Sequence, residues 1–263
     1  MNEADISGDR QFVTSLARGL QVITAFRPED RALSNQQLAD RTGLPRPTVA
    51  RFTHTLRKLG YLAHHARSGC HSLTPRVAEL SQTAFAGAGL LALARPAMEA
   101  LSELGPVSVA LGVPSGKGIR YLDMVRRPEA IVLNLEVGAL VPVMQTAIGR
   151  AWLSSLSEAR RAEALKAIAA ADPALCAAQA PQLEREVERY REKGFAVSCG
   201  GWWPELNAVA TTIRAVDDGD PLLLSISGLS SVVTPERLEA EYAVALMSSA
   251  RMLQSQMRRL YPD

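Results

Sequence analysis

The chain has 263 residues, 47% of them hydrophobic, and a formal net charge of +2, so it can bury the core of one large or two modest domains. Its three Cys lie far apart, at positions 70, 176 and 199, it has no run of about 20 apolar residues, and residues 1–10 are polar. These features exclude a disulfide framework, a membrane span and a secretory signal, and they predict a cytoplasmic protein with no membrane partner.

The small net charge hides an uneven distribution. Residues 10–80 hold 11 Lys or Arg against four Asp or Glu, whereas residues 81–263 hold 18 against 20. A concentration of positive charge is typical of a nucleic-acid-binding module, and a nearly neutral remainder suits a domain with another task. The sequence therefore predicts two domains.

The first predicted element is a helix over residues 15–26. Leu16, Leu20 and Ile23 recur along it at helical spacing. We expect this apolar face to pack beneath the two helices that follow.

A helix-turn-helix pattern follows over residues 34–59. Ser34 is a good N-cap, and Gln37, three residues later, completes a capping box. Gly43 ends the first helix, and Pro47 suits the first turn of the second. A short turn that contains Gly is what this motif requires.

The second helix has two contrasting faces. Val49, Phe52, Leu56 and Leu59 recur at helical spacing and should pack inward, which leaves a basic face outside. Basic residues neutralise phosphates, and side chains near the start of such a helix reach base edges in the major groove. The alternative is a solvated basic face without a partner. The predicted DNA contacts are Ser34, Arg46, Thr48, Arg51, His54 and Arg57, together with Arg67 of the following hairpin.

The hairpin has strands near residues 61–66 and 70–73 with Arg67 at its tip, where it is placed to contact phosphate or a minor groove. His64, His65, Cys70 and His71 raise the alternative of a metal site. That alternative is weak because a single Cys among three His lacks a recognised zinc-ligand spacing, so no metal is predicted.

The predicted domain boundaries are 10–76 for a winged helix-turn-helix domain, 77–94 for a linker helix and 95–260 for a second domain. Gly87 and Gly89 weaken the linker as a rigid rod. In the second domain strands are predicted at 107–113, 119–125, 131–136, 195–199, 207–216 and 222–227, and helices at 98–104, 147–156, 158–171, 182–193 and 235–260. Six strands with helices around them indicate an α+β fold.

Several segments, in order along the chain, resemble the IclR family of bacterial transcriptional regulators. They are residues 15–20, the helix-turn-helix, the hairpin that ends near residue 75, and residues 146–151, 194–196, 207–210 and 224–228. The resemblance implies winged helices that bind double-stranded operator DNA, and a GAF- or profilin-like C-terminal domain with a central antiparallel sheet. It also implies a homodimer or a dimer of dimers, whose C-terminal domain binds a small organic or aromatic acid that modulates operator binding.

The same resemblance implies a set of effector-binding residues. They are Thr146, Ala147, Gly149 and Ala151 at the start of a helix, Ala208, and Ser225 and Ser227 on one strand. Free N–H groups at a helix N-terminus bind anions, which suits a carboxylate. Ser225 and Ser227 are two residues apart and should present their hydroxyls on one sheet face. Ala208 stands where some relatives have Cys or Ser, so one polar contact is lost.

Trp202 and Trp203 replace an acidic loop found in many relatives. Adjacent Trp side chains beside the expected pocket would line it for an aromatic or larger apolar effector. The alternative is that one or both simply cover the core.

The other hypothesis for the second domain is a small-molecule enzyme with an accessory winged helix. Residues 114–118 lack the spacing of a phosphate-binding loop, and all four His lie in the first domain, so Cys199 has no His nearby in sequence. The sequence therefore predicts no enzyme, no catalytic residue and no cofactor. A third hypothesis is a DNA-binding protein whose sensor domain binds no ligand.

Overall fold

The computed structural model describes residues 11–27, 29–77, 79–80, 90–116, 118–127, 135–213 and 220–260. The chain divides into two compact units, Met1–Ala88 and Gly89–Asp263. Most of the linker helix predicted at 77–94 lies outside the described residues, and residues 90–94 belong to a helix of the second unit. Within the described ranges, no helix has both the length and the apolar character needed to cross a membrane.

The first unit packs helices against a two-stranded antiparallel hairpin. Its named elements within the described residues are α1 (Thr14–Thr24), α2 (Asn35–Thr42), α3 (Arg46–Lys58), β1 (Leu62–His65) and β2 (Cys70–Leu73). The core combines Val22 of α1, Leu38 of α2 and Val49 of α3 with Leu62 of the hairpin. The helix-turn-helix and hairpin predictions are confirmed.

Two details of this core differ from the sequence prediction. Leu16 and Leu20 are 63% and 52% exposed, because α1 turns Val22 rather than these residues inward. Leu59 is also exposed, since it is the C-cap residue of α3 and the chain reverses direction at Gly60 (φ 82°).

The second unit has three layers built on an antiparallel sheet. Its elements are α4 (Leu90–Ser102), β3 (Ser108–Ser115), β4 (Gly118–Arg126), β5 (Leu140–Pro142), α5 (Ala147–Ser155), α6 (Glu158–Ala169), α7 (Pro173–Lys193), β6 (Ala196–Cys199), β7 (Leu206–Ile213), β8 (Leu222–Leu229), α8 (Pro235–Arg237), a π-helical turn (Leu238–Tyr242) and α9 (Ala243–Leu260). The strand order is β5-β4-β3-β8-β7-β6, with every neighbouring pair antiparallel. The predicted α+β fold with a central antiparallel sheet is confirmed.

The side chains of β8 point alternately to the two faces of the sheet, and each face packs in a separate hydrophobic core. Leu222, Leu224 and Ile226 pack in one cluster with residues of α4 and α9. Leu223, on the opposite face, packs in a second cluster with residues of α5 and α7. Because successive side chains of a strand point to opposite faces, Ser225 and Ser227 lie on the same side as α5.

One predicted element of this unit lies mostly outside the described residues, and a second is corrected. Residues 131–134 of the strand predicted at 131–136 are outside the described residues, and Leu135 and Glu136 are not in a strand; the described strand at this edge of the sheet is β5. Helix α7 begins at Pro173 rather than at residue 182. Asp172 caps it by accepting the Leu175 N–H at 2.9 Å, and the helix continues through Pro181.

Candidate functional site

Local interactions fix the start of α2 and the turn between α2 and α3. The Ser34 hydroxyl accepts the Gln37 N–H at 3.3 Å, and the Gln37 side chain accepts the Ser34 N–H at 2.9 Å, which confirms the capping box. Gly43 ends α2 in the left-handed region (φ 69°), and Pro47 lies in the first turn of α3. The Ser34 hydroxyl is therefore engaged in holding the start of α2.

Helix α3 is held against α2 by apolar packing and by a side-chain hydrogen bond. Val49 and Leu56 are buried in the core, and Thr53 is only 1% exposed. The Thr53 hydroxyl lies 3.1 Å from the Asn35 side-chain oxygen, so its burial leaves no unsatisfied group. These contacts turn the opposite face of α3 to solvent.

The exposed face of α3 is strongly basic. Arg46, Arg51, His54 and Arg57 are exposed, whereas Thr48 is half-buried. Within the described part of the chain, none of these three Arg forms an ion pair. A row of unpaired cations on a helix that follows a tight turn is suited to bind the phosphates of a groove.

Arg67 extends this basic surface at the tip of the hairpin, where it too is exposed and has no ion-pair partner among the described residues. The hairpin is held in place by two backbone hydrogen bonds between Leu33 and His71, of 2.8 and 2.7 Å. His71 is buried, and burial lowers the pKa of its ring. Across the described ranges, no three potential metal-ligand side chains come together.

A small cavity in the second unit lies between the N-terminus of α5, the α5 side of the sheet and the loop that precedes β7. Seven of the residues predicted from the sequence line it: Thr146, Ala147, Trp202, Trp203, Ala208, Ser225 and Ser227. Residues from three separate segments of the chain therefore meet at one place.

The polar groups of the cavity are hydroxyl and amide groups. The Thr146 hydroxyl donates to the Pro142 carbonyl at 2.5 Å and accepts the Gly149 N–H at 3.2 Å. No acceptor within the described residues takes the N–H groups of Ala147 and Ile148, which open α5. Among the described residues that line the cavity, there is no Lys, Arg or His. An anion here would be held by backbone N–H groups and hydroxyls.

Gly149 and Ala151 do not line the cavity, contrary to the sequence prediction. A Cβ on Gly149 would lie 2.2 Å from the Val143 carbonyl oxygen, so this position allows α5 to contact the preceding backbone directly. Ala151 is fully buried in the core of the unit. Both residues place α5 and shape the cavity indirectly.

The two Trp occupy different environments. Trp202 is half-buried and packs against the core, whereas Trp203 is 45% exposed. Their rings are 6.0 Å apart in an edge-to-face arrangement. Both line the cavity, so covering the core and lining the site are compatible roles for Trp202.

Sequence reasoning missed several residues around the cavity, among them Tyr121, Gln145 and Ser198. Tyr121 is buried, and burial raises its pKa to about 12. Ser198 pairs with Ala208, which pairs with Ser227, so three small residues form a row across β6, β7 and β8. This row depends on strand register, which the sequence pattern of single strands does not specify.

Comparison with known proteins covers both units. Residues 15–66 match the family described as IclR helix-turn-helix domain, and residues 82–255 match bacterial transcriptional regulator IclR C-terminal. The chain is 30% identical over 252 residues to the HTH-type transcriptional regulator TsaQ1/TsaQ2 of Comamonas testosteroni, which covers 95% of this chain and 90% of that protein.

Solved structures agree with these matches. The crystal structure of an IclR family transcriptional regulator from Brucella abortus superimposes with a TM-score of 0.84 at 31% identity and covers 95% of this chain and 94% of that one. An IclR homolog from Microbacterium hydrocarbonoxydans, complexed with 4-hydroxybenzoate, shares the fold with a TM-score of 0.68 at 19% identity, covering 93% and 99%. The matched families are regulators and not enzymes. The chain belongs to the IclR family of bacterial transcriptional regulators.

Proposed function

We propose that this regulator binds double-stranded operator DNA through α3 and the hairpin. The observation that carries this proposal is the exposed basic face of Arg46, Arg51 and Arg57, whose charges are not neutralised by acidic neighbours within the described residues. Arg46 and Thr48 lie in the first turn of α3, where side chains reach base edges in the major groove. Arg67 is placed to contact the phosphate backbone of the DNA.

Gel-shift titration on the intergenic region upstream of the regulator's own gene tests this proposal. Arg51→Ala should weaken specific binding by about 1–3 kcal/mol if Arg51 contacts a guanine. Arg191→Ala, which removes an exposed Arg from α7 in the other unit, is the matched control and should leave affinity unchanged. Equal affinities for wild type and Arg51→Ala would remove Arg51 from the interface.

We propose that the cavity of the second unit binds a small organic acid, with an aromatic acid preferred. The unpartnered N–H groups at the start of α5, together with the hydroxyls of Ser225 and Ser227, suit a carboxylate. Tyr121 and Trp202 supply aromatic walls. That a structural neighbour holds 4-hydroxybenzoate supports this class of ligand.

The space inside the cavity is about 30 Å³, whereas pockets for drug-sized ligands reach roughly 300 Å³ or more. Binding of an aromatic acid therefore requires the walls to move. We infer that the loop bearing Trp202 and Trp203 opens, because Trp203 is the more exposed wall.

Calorimetry and Trp fluorescence with 4-hydroxybenzoate and a panel of small acids test this inference. Binding should change the emission of the Trp pair, and Ser225→Ala should weaken it by about tenfold or less, the value of one hydrogen bond. Ser248→Ala, an exposed position on α9, is the control. Absence of any binder among a broad set of acids would favour a sensor domain without a ligand.

We also propose a homodimer, or a dimer of dimers, in which the effector shifts the population of states that differ in DNA affinity. Val13, Leu16 and Leu20 of the first unit are 57%, 63% and 52% exposed and are spaced by three and four residues, which is the pattern of an apolar helix face available to a second copy. Leu16→Glu should increase the monomer fraction in sedimentation measurements and weaken binding to a full operator. An unchanged oligomeric state would exclude this face from the interface.

A further inference from the structure

A second cleft lies apart from the effector cavity, between α7 and β6. Arg150, Gln179, Gln182, Arg189, Cys199 and Gly201 line it, and its volume is about 430 Å³. None of these residues lines the effector cavity. Two guanidinium groups that line one cleft raise the question of what neutralises them.

Arg150 is 3% exposed, and each of its three side-chain nitrogens donates one hydrogen bond. Its side chain donates to the carbonyls of Met144 at 2.9 Å and Val197 at 3.1 Å, and to Gln179 at 3.1 Å. A guanidinium carries five N–H groups, so donors remain that these three acceptors do not take. A buried donor without an acceptor costs free energy unless a water or an anion satisfies it.

Arg189 adds a second incompletely satisfied donor. One of its terminal nitrogens binds Glu239, but its Nε is buried and has no hydrogen-bond partner. The carboxylate of Glu186 is 3.5 Å from this nitrogen, close enough for attraction but without hydrogen-bond geometry.

Glu186 cannot neutralise both Arg side chains. Its oxygens already accept the Val197 N–H at 2.8 Å and the Gln182 amide at 3.2 Å. Glu186 is the one acidic residue among the described residues that line the cleft, and Glu239, outside the lining, also pairs with Arg189. Among the described residues, Arg150 is therefore the lining cation without an ion-pair partner. The side-chain amides of Gln179 and Gln182 add neutral donors.

We propose that this cleft binds a small oxyanion, a carboxylate or a phosphate, between Arg150 and Arg189. Charged and planar donors of this kind recognise oxyanions by two parallel hydrogen bonds. The site differs from the effector cavity, although Gly201 connects them: a Cβ there would meet Ser198 of the cavity at 2.5 Å and Arg150 at 3.0 Å.

Cys199 supplies a direct probe, because its thiol is free and lines the cleft. The full-length protein is treated with N-ethylmaleimide, and alkylation of the peptide that contains Cys199 is followed by mass spectrometry. Inorganic phosphate or malonate should slow alkylation at Cys199 but not at Cys70, which lies in the other unit. If only phosphate protects Cys199, the cleft binds phosphates; if only malonate protects it, the cleft binds carboxylates.

Calorimetry with the same two anions provides the second measurement. Arg189→Met should weaken binding at least tenfold, and Gln182→Glu, which adds a negative charge without removing a cation, should do the same. Arg191→Met removes an Arg from the same helix outside the cleft and should bind as the wild type does. No protection of Cys199, or equal losses in the Arg189 and Arg191 variants, would overturn the proposal. Because malonate also belongs to the ligand class proposed for the effector cavity, Ser225→Ala separates the two sites and should leave binding in the cleft unchanged.

Discussion

Replacing Gly149 by Ala tests how α5 is placed over the effector cavity. The added Cβ would lie 2.2 Å from the carbonyl oxygen and 2.4 Å from the Cα of Val143, whereas ordinary contacts begin near 3.4 Å. The obstacle is backbone, so no side-chain rotation relieves it, and the start of α5 must move by about 1 Å. Overpacking of a tight core typically costs about 1–3 kcal/mol, and a backbone clash of this size should lie at or above the upper end.

The assay is urea unfolding followed by Trp fluorescence, which reports on the second unit because Trp152, Trp202 and Trp203 all lie there. Gly149→Ala should unfold at distinctly lower urea than the wild type. Ser248→Ala, an exposed position on α9 of the same unit, is the matched control and should unfold as the wild type does. A Gly149→Ala protein within about 0.5 kcal/mol of wild type would refute this account of the contact.

Three further predictions concern single contacts. Thr53→Val should destabilise the first unit by about 0.5–1.5 kcal/mol in chemical unfolding, since the half-buried Asn35 oxygen loses its donor. Burial raises the pKa of Tyr121 to about 12, so its stabilising effect should persist below pH 10 and fade as the pH rises towards 12, by up to about 3 kcal/mol; Tyr121→Phe should reduce this alkaline decline in unfolding measurements. Arg41 holds the pKa of Asp30 at about 2, so stability from this pair should persist above pH 3.8 and fall as the pH drops through 2, and Asp30→Asn should flatten that acid dependence in thermal melts.

Elements marked by local chemistry were predictable from the sequence. The capping box of Ser34 and the end of α2 at Gly43 depend on neighbouring residues alone, and both occur where the sequence predicts them. The pairing of Ser225 and Ser227 on one face follows from strand alternation. These features explain why the domain order and most helix and strand positions were predicted correctly.

Features that depend on distant parts of the chain were not predictable. Thr53 is buried because Asn35 satisfies it across two helices, and helical periodicity of apolar residues gives no sign of that. The first half of α7 was not predicted, because Pro181 lies inside the helix and proline removes a backbone hydrogen bond. A helix that is anchored by packing can tolerate this loss. The contact of Gly149 with Val143 depends on the path of the chain before α5, so its role in packing is visible only in three dimensions.

The six-stranded sheet places the effector cavity on one face and the packing of α4 and α9 on the other. In β8, Leu224 and Ile226 therefore pack in the core, whereas Ser225 and Ser227 face the cavity on the other side of the sheet. A new ligand preference can evolve by changing alternate residues of a strand without touching the core behind it. The ligand preference of the second unit can therefore change while the helix-turn-helix domain stays the same.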